Sequence, residues 1–91
     1  MIEIVKVVET RALDAHWLWI RFSNGKQGVH DFSGMLAEGG VMVEPLCDPA
    51  MFRRVFLELG ALTWPNGFDL DPIALHDRMA AAGELSQVAA E

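Results

Sequence analysis

In the first third of the chain apolar and polar residues alternate; toward the C-terminus the apolar positions fall three and four apart. Residues 2–9, Ile-Glu-Ile-Val-Lys-Val-Val-Glu, are rich in β-branched side chains and predict a first strand. Residues 10–15 read as a connection, with Asp14-Ala15 as its turn. Residues 16–23 alternate cleanly: Leu18, Ile20 and Phe22 fall on one face, Trp17, Trp19 and Arg21 on the other. Asn24-Gly25 predicts a type I′ hairpin turn, because both residue types tolerate positive φ. Residues 26–32 are then the returning strand, which makes a three-stranded antiparallel meander.

Beyond the meander the punctuation comes from Asp, Pro and Gly. Asp31 is placed to cap a short helical turn running through Leu36. Residues 37–43 read as a loop around Gly39-Gly40. It is not a phosphate loop, since no spaced third glycine and no Lys-Ser or Lys-Thr follows. Residues 44–47, Glu-Pro-Leu-Cys, read as extended, because the residue before a proline avoids the helical region. Asp48-Pro49 joins an N-cap carboxylate to a proline at the first helical position, predicting a helix over 49–55 with Met51, Phe52 and Val55 inward. Two short strands follow, 56–58 and 61–64, about a turn at Gly60. Pro65 has no amide proton, so the second strand ends there or lies on an edge. Asn66-Gly67 makes the next turn, and Phe68 and Leu70 point back to the core. Asp71-Pro72 repeats the cap and opens a helix over 72–82, with Leu75, Met79 and Ala82 on its inner stripe and Gly83 as its end. Residues 84–91 read as a flexible polar-alanine tail.

The predicted fold class is α+β. It comprises a three-stranded antiparallel N-terminal meander, a short helix, two further short strands and a C-terminal helix in one domain, 1–83, with a tail at 84–91. Ninety-one residues make one domain, and a share of 52% hydrophobic residues is slightly high for such a chain. Either the core is rich or a face is buried against a partner. The formal net charge of −6 opposes binding nucleic acid through phosphates and suits a basic protein partner. A single cysteine, Cys47, cannot form an internal disulfide and points to a reducing cytoplasm. It lies between Glu44 and Asp48, not in the electropositive setting of a reactive thiol. Charges interrupt the first apolar run, so no signal peptide is read, and no run is long enough to span a bilayer.

Candidate chemistry is sparse. His16, His30 and His76 lack the spacing of a metal motif, so no metal or cofactor is expected. His30 beside Asp31 is the best acid–base pair, yet neighbours on a strand point to opposite faces. His76 and Asp77 likewise diverge around a helix. A Ser33 nucleophile needs a His and an acid brought to it by the fold. The expectation is binding, not catalysis. The tryptophans carry more information. With Leu18, Ile20 and Phe22 inward, Trp17 and Trp19 face outward, and either the C-terminal segment covers them or they form an interface with Arg21 as its basic anchor.

Several spaced motifs carry a resemblance. Trp64-Pro65-Asn66-Gly67 followed by Asp69-Leu70-Asp71-Pro72 resembles the C-terminal signature of the DUF2442 family of small bacterial domains of unknown function. Phe22-Ser23-Asn24-Gly25-Lys26, Asp31-Phe32-Ser33 with Leu36, Glu44-Pro45-Leu46, and Asp48-Pro49 with Phe52 match in order, over about residues 2 to 80. His30 departs from the small aliphatic residue expected before the aspartate, and residues 39–43 are insertion-like. The resemblance implies a small α+β domain of the kind found in toxin–antitoxin pairs, encoded beside another small domain. Two functions follow as expectations. One is a protein-interaction module, the acidic antitoxin-like partner of a small basic protein, or a homodimer. The other is a ligand-binding or catalytic domain with a pocket near His30, Asp31 and Asp69.

Overall fold

Leu18, Ile20 and Phe22 alternate with Trp17, Trp19 and Arg21, so one side of their strand demands burial and the other does not. The structure, a computed structural model, describes residues 4–87. In chain order its elements are β1 (Val7–Ala12), β2 (Trp17–Phe22), β3 (Lys26–Asp31), α1 (Ser33–Glu38), a 3-10 helix (Glu44–Cys47), α2 (Pro49–Phe52), β4 (Phe56–Glu58), β5 (Ala61–Thr63), α3 (Pro72–Ala81) and β6 (Ser86–Gln87). The meander forms as expected and gains β6, giving an antiparallel sheet in the order β1-β2-β3-β6; β4 and β5 pair separately. The helices and the second hairpin lie against the inner face. There Leu18, Ile20 and Phe22 pack with Phe32, Leu36, Leu46, Phe52, Leu62, Trp64, Leu75 and Met79 in one core.

Trp64 is central to that core. Its ring is completely buried between Phe52, 5.6 Å away, and Phe68, 5.8 Å away. Its indole N–H donates to the Phe52 carbonyl at 2.9 Å. A buried indole needs such an acceptor. The same carbonyl also accepts the Val55 amide at 3.3 Å and the Met51 carbonyl the Arg54 amide at 3.1 Å, three-residue closures tighter than an α-helix makes, and α2 ends at Phe52 and not at residue 55 as the pattern suggested.

Other boundaries move for physical reasons. The chain reverses at Asp14-Ala15, where Ala15 takes a φ of 53° and Trp17 N–H reaches the Asp14 carbonyl at 3.1 Å. That reversal sets Ala12 opposite Leu18, Thr10 opposite Ile20 and Val7 opposite Phe22. The first strand is therefore shifted past the expected 2–9, and residues 10–12 belong to it. Residues 1–3 lie outside the described residues. A bulge between Val7 and Glu9 leaves Val8 exposed.

The first hairpin loop has three residues, with Arg21 still opposite Gln27. Only Gly25 in this loop has positive φ, 87°, so the turn is not type I′. The turn with two positive φ values instead joins β4 to β5, at Leu59 (53°) and Gly60 (81°). Residues 44–47, expected to be extended, form the 3-10 helix. Pro45 sits near its start, where a missing amide proton costs little, and Leu46 becomes fully buried. The strand expected over 61–64 ends one residue earlier, at Thr63. The presumed tail behaves differently in its described part: Ser86 and Gln87 pair with β3, and residues 88–91 lie outside the described residues.

Candidate interaction surface

Strand β2 presents Trp17, Trp19 and Arg21 outward, as the alternation required. Its neighbours decide what surrounds them. Trp19 lies between Arg11 on β1 and Val29 on β3; Arg21 lies between Glu9 and Gln27; Trp17 lies opposite Asp31. The Arg11 guanidinium sits over the Trp19 ring, 5.5 Å from its centroid. Glu9 pairs with Arg21 at 2.7 Å and approaches Arg11 at 3.7 Å. Such exposed pairs contribute under about 1 kcal/mol each, but they fix where the cations point. Trp17 and Val29 each remain 41% exposed. Nε of Arg21 is shielded from solvent and has no hydrogen-bond partner among the described residues, an uncommon state for a buried donor.

Asp31 adds a fixed anion beside Trp17. Its Oδ1 accepts the Ser33 amide proton at 2.9 Å. It therefore serves α1 from one residue before the N-cap position, which Phe32 occupies. The Ser33 backbone amide, then the Ser33 hydroxyl, hold the carboxyl below its ordinary value of 3.8 against the opposing effect of burial, and the charges of His30 and His16 help least.

His30 faces the other way, onto the inner side of β3. Its Nδ1 lies 2.7 Å from Oε1 of Glu84 and its ring stands edge-on to Phe32 at 4.7 Å. It lines a cleft of about 200 Å³ floored by Phe32, Phe68, Leu70 and Leu75, with Asp71 and Arg78 at the rim. Neither Asp31 nor Asp69 lines this cleft. Asp31 is on the opposite face of the sheet, and Asp69 forms a backbone bridge with Thr63. The three residues of the expected pocket are thus not brought together.

The remaining histidines are held in structural contacts. His16 donates from Nε2 to the Cys47 carbonyl at 3.1 Å and packs on Phe52. His76 accepts from the Asn24 amide at 2.9 Å and packs on Phe22, while Asp77 is 3.7 Å away, beyond a hydrogen bond. Among the described residues no group of three or more His, Cys, Asp or Glu could hold a metal ion.

The turn and cap residues take local roles. Asn24 Oδ1 accepts the Lys26 amide at 3.1 Å, next to Gly25. Asp48 accepts from Ala50 at 3.0 Å with Pro49 behind it, and Asp71 accepts from Ile73 at 3.0 Å with Pro72 behind it. Trp64, Pro65, Asn66 and Gly67 form a closed turn. Gly67 N–H reaches the Trp64 carbonyl at 2.9 Å, and the Asn66 side chain donates to the Met42 carbonyl at 2.9 Å, tying down the preceding loop. Three members of the surface escaped sequence reasoning: Val29 stands opposite Trp19 on β3. Glu9 and Arg11 join it only through the shifted register of β1.

A family model described as Protein of unknown function (DUF2442) matches residues 7–80. The chain belongs to the DUF2442 family. The DUF2442 match opens with β1 and ends inside α3, so it contains the whole tryptophan face and both Asp-Pro caps, and stops short of Glu84 and β6. No curated protein and no solved structure matches the chain. No helix among the described residues is long and apolar enough to cross a membrane.

Proposed function

We propose that this DUF2442 domain is a protein-interaction module, the acidic, antitoxin-like partner of a small basic protein in a bacterial cytoplasm. It binds through the outer face of its sheet. The observation that carries the reading is the pairing of a half-exposed Trp17 with the anionic Asp31 across the strand. A partner's Arg or Lys stacks on that indole and meets the carboxylate, while Val29 and Trp19 supply apolar area beside it. The net charge of −6 favours the same encounter. Binding in place of catalysis is supported by the histidines, each of which is held by a structural contact.

The test is recovery of tagged protein from its native host, wild type beside Trp17→Ser/Trp19→Ser, with mass spectrometry of whatever accompanies each. A small basic protein near equal amount with the wild type and missing from the variant supports the proposal. Recovery of no partner by the wild type overturns it. A second reading, a small apolar ligand in the cleft beside His30, is favoured by the 200 Å³ cavity and its apolar floor. A fluorescent apolar probe displaced by a Leu75→Trp substitution tests it.

A further inference from the structure

Along an antiparallel strand the backbone groups alternate in direction, so every second residue of an edge strand faces away from its neighbour. His16, just before β2, takes the Phe32 N–H on its carbonyl at 2.9 Å, so the even positions of that strand serve β3. The odd positions serve β1, beginning where Leu13 N–H reaches the Trp17 carbonyl at 2.9 Å. Glu9 and Arg11, opposite Arg21 and Trp19, therefore direct their amide and carbonyl groups to β2. Thr10 and Ala12 turn theirs outward.

β1 is one margin of its sheet. The start of that margin is closed, because Val7 N–H donates to the Gly60 carbonyl in the β4–β5 turn at 2.9 Å. From Val8 to Ala12 no described residue pairs with it, and Val8 is left 48% exposed. An open edge is a template for another strand, and a bulge or charged side chains are its usual guards. Here the bulge ends at Glu9, and the two charges beyond it have opposite sign and flank Thr10. Residues 8–12, Val-Glu-Thr-Arg-Ala, are self-complementary when laid antiparallel on themselves about Thr10. Glu9 then meets Arg11 of the second copy, Arg11 meets its Glu9, and Val8 comes beside its Ala12.

We propose that the open edge of β1 is a self-association site, at which two copies pair antiparallel about Thr10 and join their sheets into one. The ladder and the charges agree. Thr10 faces outward, so it exchanges backbone bonds with Thr10 of the second copy. Glu9 and Arg11 fall at the non-hydrogen-bonded positions, where opposed residues come closest, about 4.5 Å between Cα atoms. The two-fold axis makes the Glu9–Arg11 contact twice, and opposite charges directly across a strand pair are favourable. Arg11 has room for this role: Arg21 holds Glu9 of its own chain at 2.7 Å, whereas Arg11 is 3.7 Å from it and mostly exposed. Because Glu9 and Arg11 share the outer side of the sheet with Trp19, the joined sheet carries both tryptophan faces on one side.

Sedimentation equilibrium in reducing buffer tests the proposal. The wild type should show a dimer whose fraction rises with concentration. Thr10→Pro removes the outward N–H at the centre of the pairing, a change that an edge strand tolerates, and should leave a monomer that is folded by circular dichroism. A second measurement uses charge and decides the matter should the proline variant not fold. Glu9→Lys and Arg11→Glu each set like charges across the pair and should be monomeric alone. Mixed in equal amounts they match at both contacts, and native mass spectrometry should show a heterodimer. Trp17→Ser/Trp19→Ser should dimerise as the wild type does, which separates this edge from the partner-binding face. A wild type that stays monomeric at the highest concentration overturns the proposal. So does a dimer that survives Thr10→Pro, a mixture of folded charge variants that stays monomeric, or a folded tryptophan variant that has lost the dimer.

Discussion

Leu59 is 93% exposed and holds a φ of 53°, so it contributes little burial and adopts a backbone that residues other than Gly, Asn and Asp resist. Leu59→Asn should therefore raise stability by about 1 kcal/mol, read as a higher denaturation midpoint at unchanged slope. An unchanged or lower midpoint would mean that the leucine side chain makes a contribution larger than the backbone cost. Asp31 sets a pH dependence. Its folded carboxyl titrates below the ordinary 3.8, because the Ser33 amide and hydroxyl bind the charged form. Its stabilising contribution is complete above that ordinary value and is lost as pH falls through it toward the folded value. Asp31→Asn should melt below the wild type at pH 7, and the gap should close in acid below about pH 3.8. A gap that persists at pH 2 would show that the charge is not the source. At this scale the sequence was an uneven guide. Asn24-Gly25 carried the stronger turn signal, yet the turn with two positive φ values formed at Leu59-Gly60, where loop length and register required it.

Among elements, those set by local rules were legible and those set by distant contacts were not. The alternation in β2 and the two Asp-Pro helix starts are properties of a few consecutive residues, and they appear where the pattern put them. The 3-10 helix at Glu44–Cys47 depends on burial of Leu46, and the end of α2 coincides with an indole twelve residues away. The segment leading into β6 is held by a His30–Glu84 contact across 54 residues, for which no local signal exists. The candidate surface shows the same division: its tryptophans follow from period two, its Glu9 and Arg11 from a register that only the folded sheet fixes. Helix α3 gives a direct test of the local part. Asp71 accepts the Ile73 amide at 3.0 Å, so Asp71→Ala should cost about 1 kcal/mol. In a domain this small that lowers Tm by roughly 4–8 °C. No change in melting would mean that the first turn finds its acceptor elsewhere.

Across the whole molecule the three tryptophans divide the work between folding and recognition. Trp64 is wholly buried, with its indole N–H satisfied, so Trp64→Ala should remove roughly 3–5 kcal/mol. That is a large part of the stability a domain of this size possesses, typically about 5–15 kcal/mol. Trp17 and Trp19 stand on the opposite side of the sheet, where Trp17 is 41% exposed and Trp19 carries the Arg11 guanidinium over its ring. Trp17→Ser/Trp19→Ser removes outer-face area without opening a cavity in the core, because Leu18, Ile20 and Phe22 remain in place. The expected outcome is a cooperative melt close to that of the wild type together with loss of partner binding in calorimetry. Partial losses would be informative in order: Trp17→Ser should weaken binding more than Trp19→Ser, since the Trp19 ring already carries the Arg11 cation while the Trp17 ring and Asp31 are open to one. If the double variant instead unfolds, these indoles belong to the fold, and the outer face loses its standing as an interface.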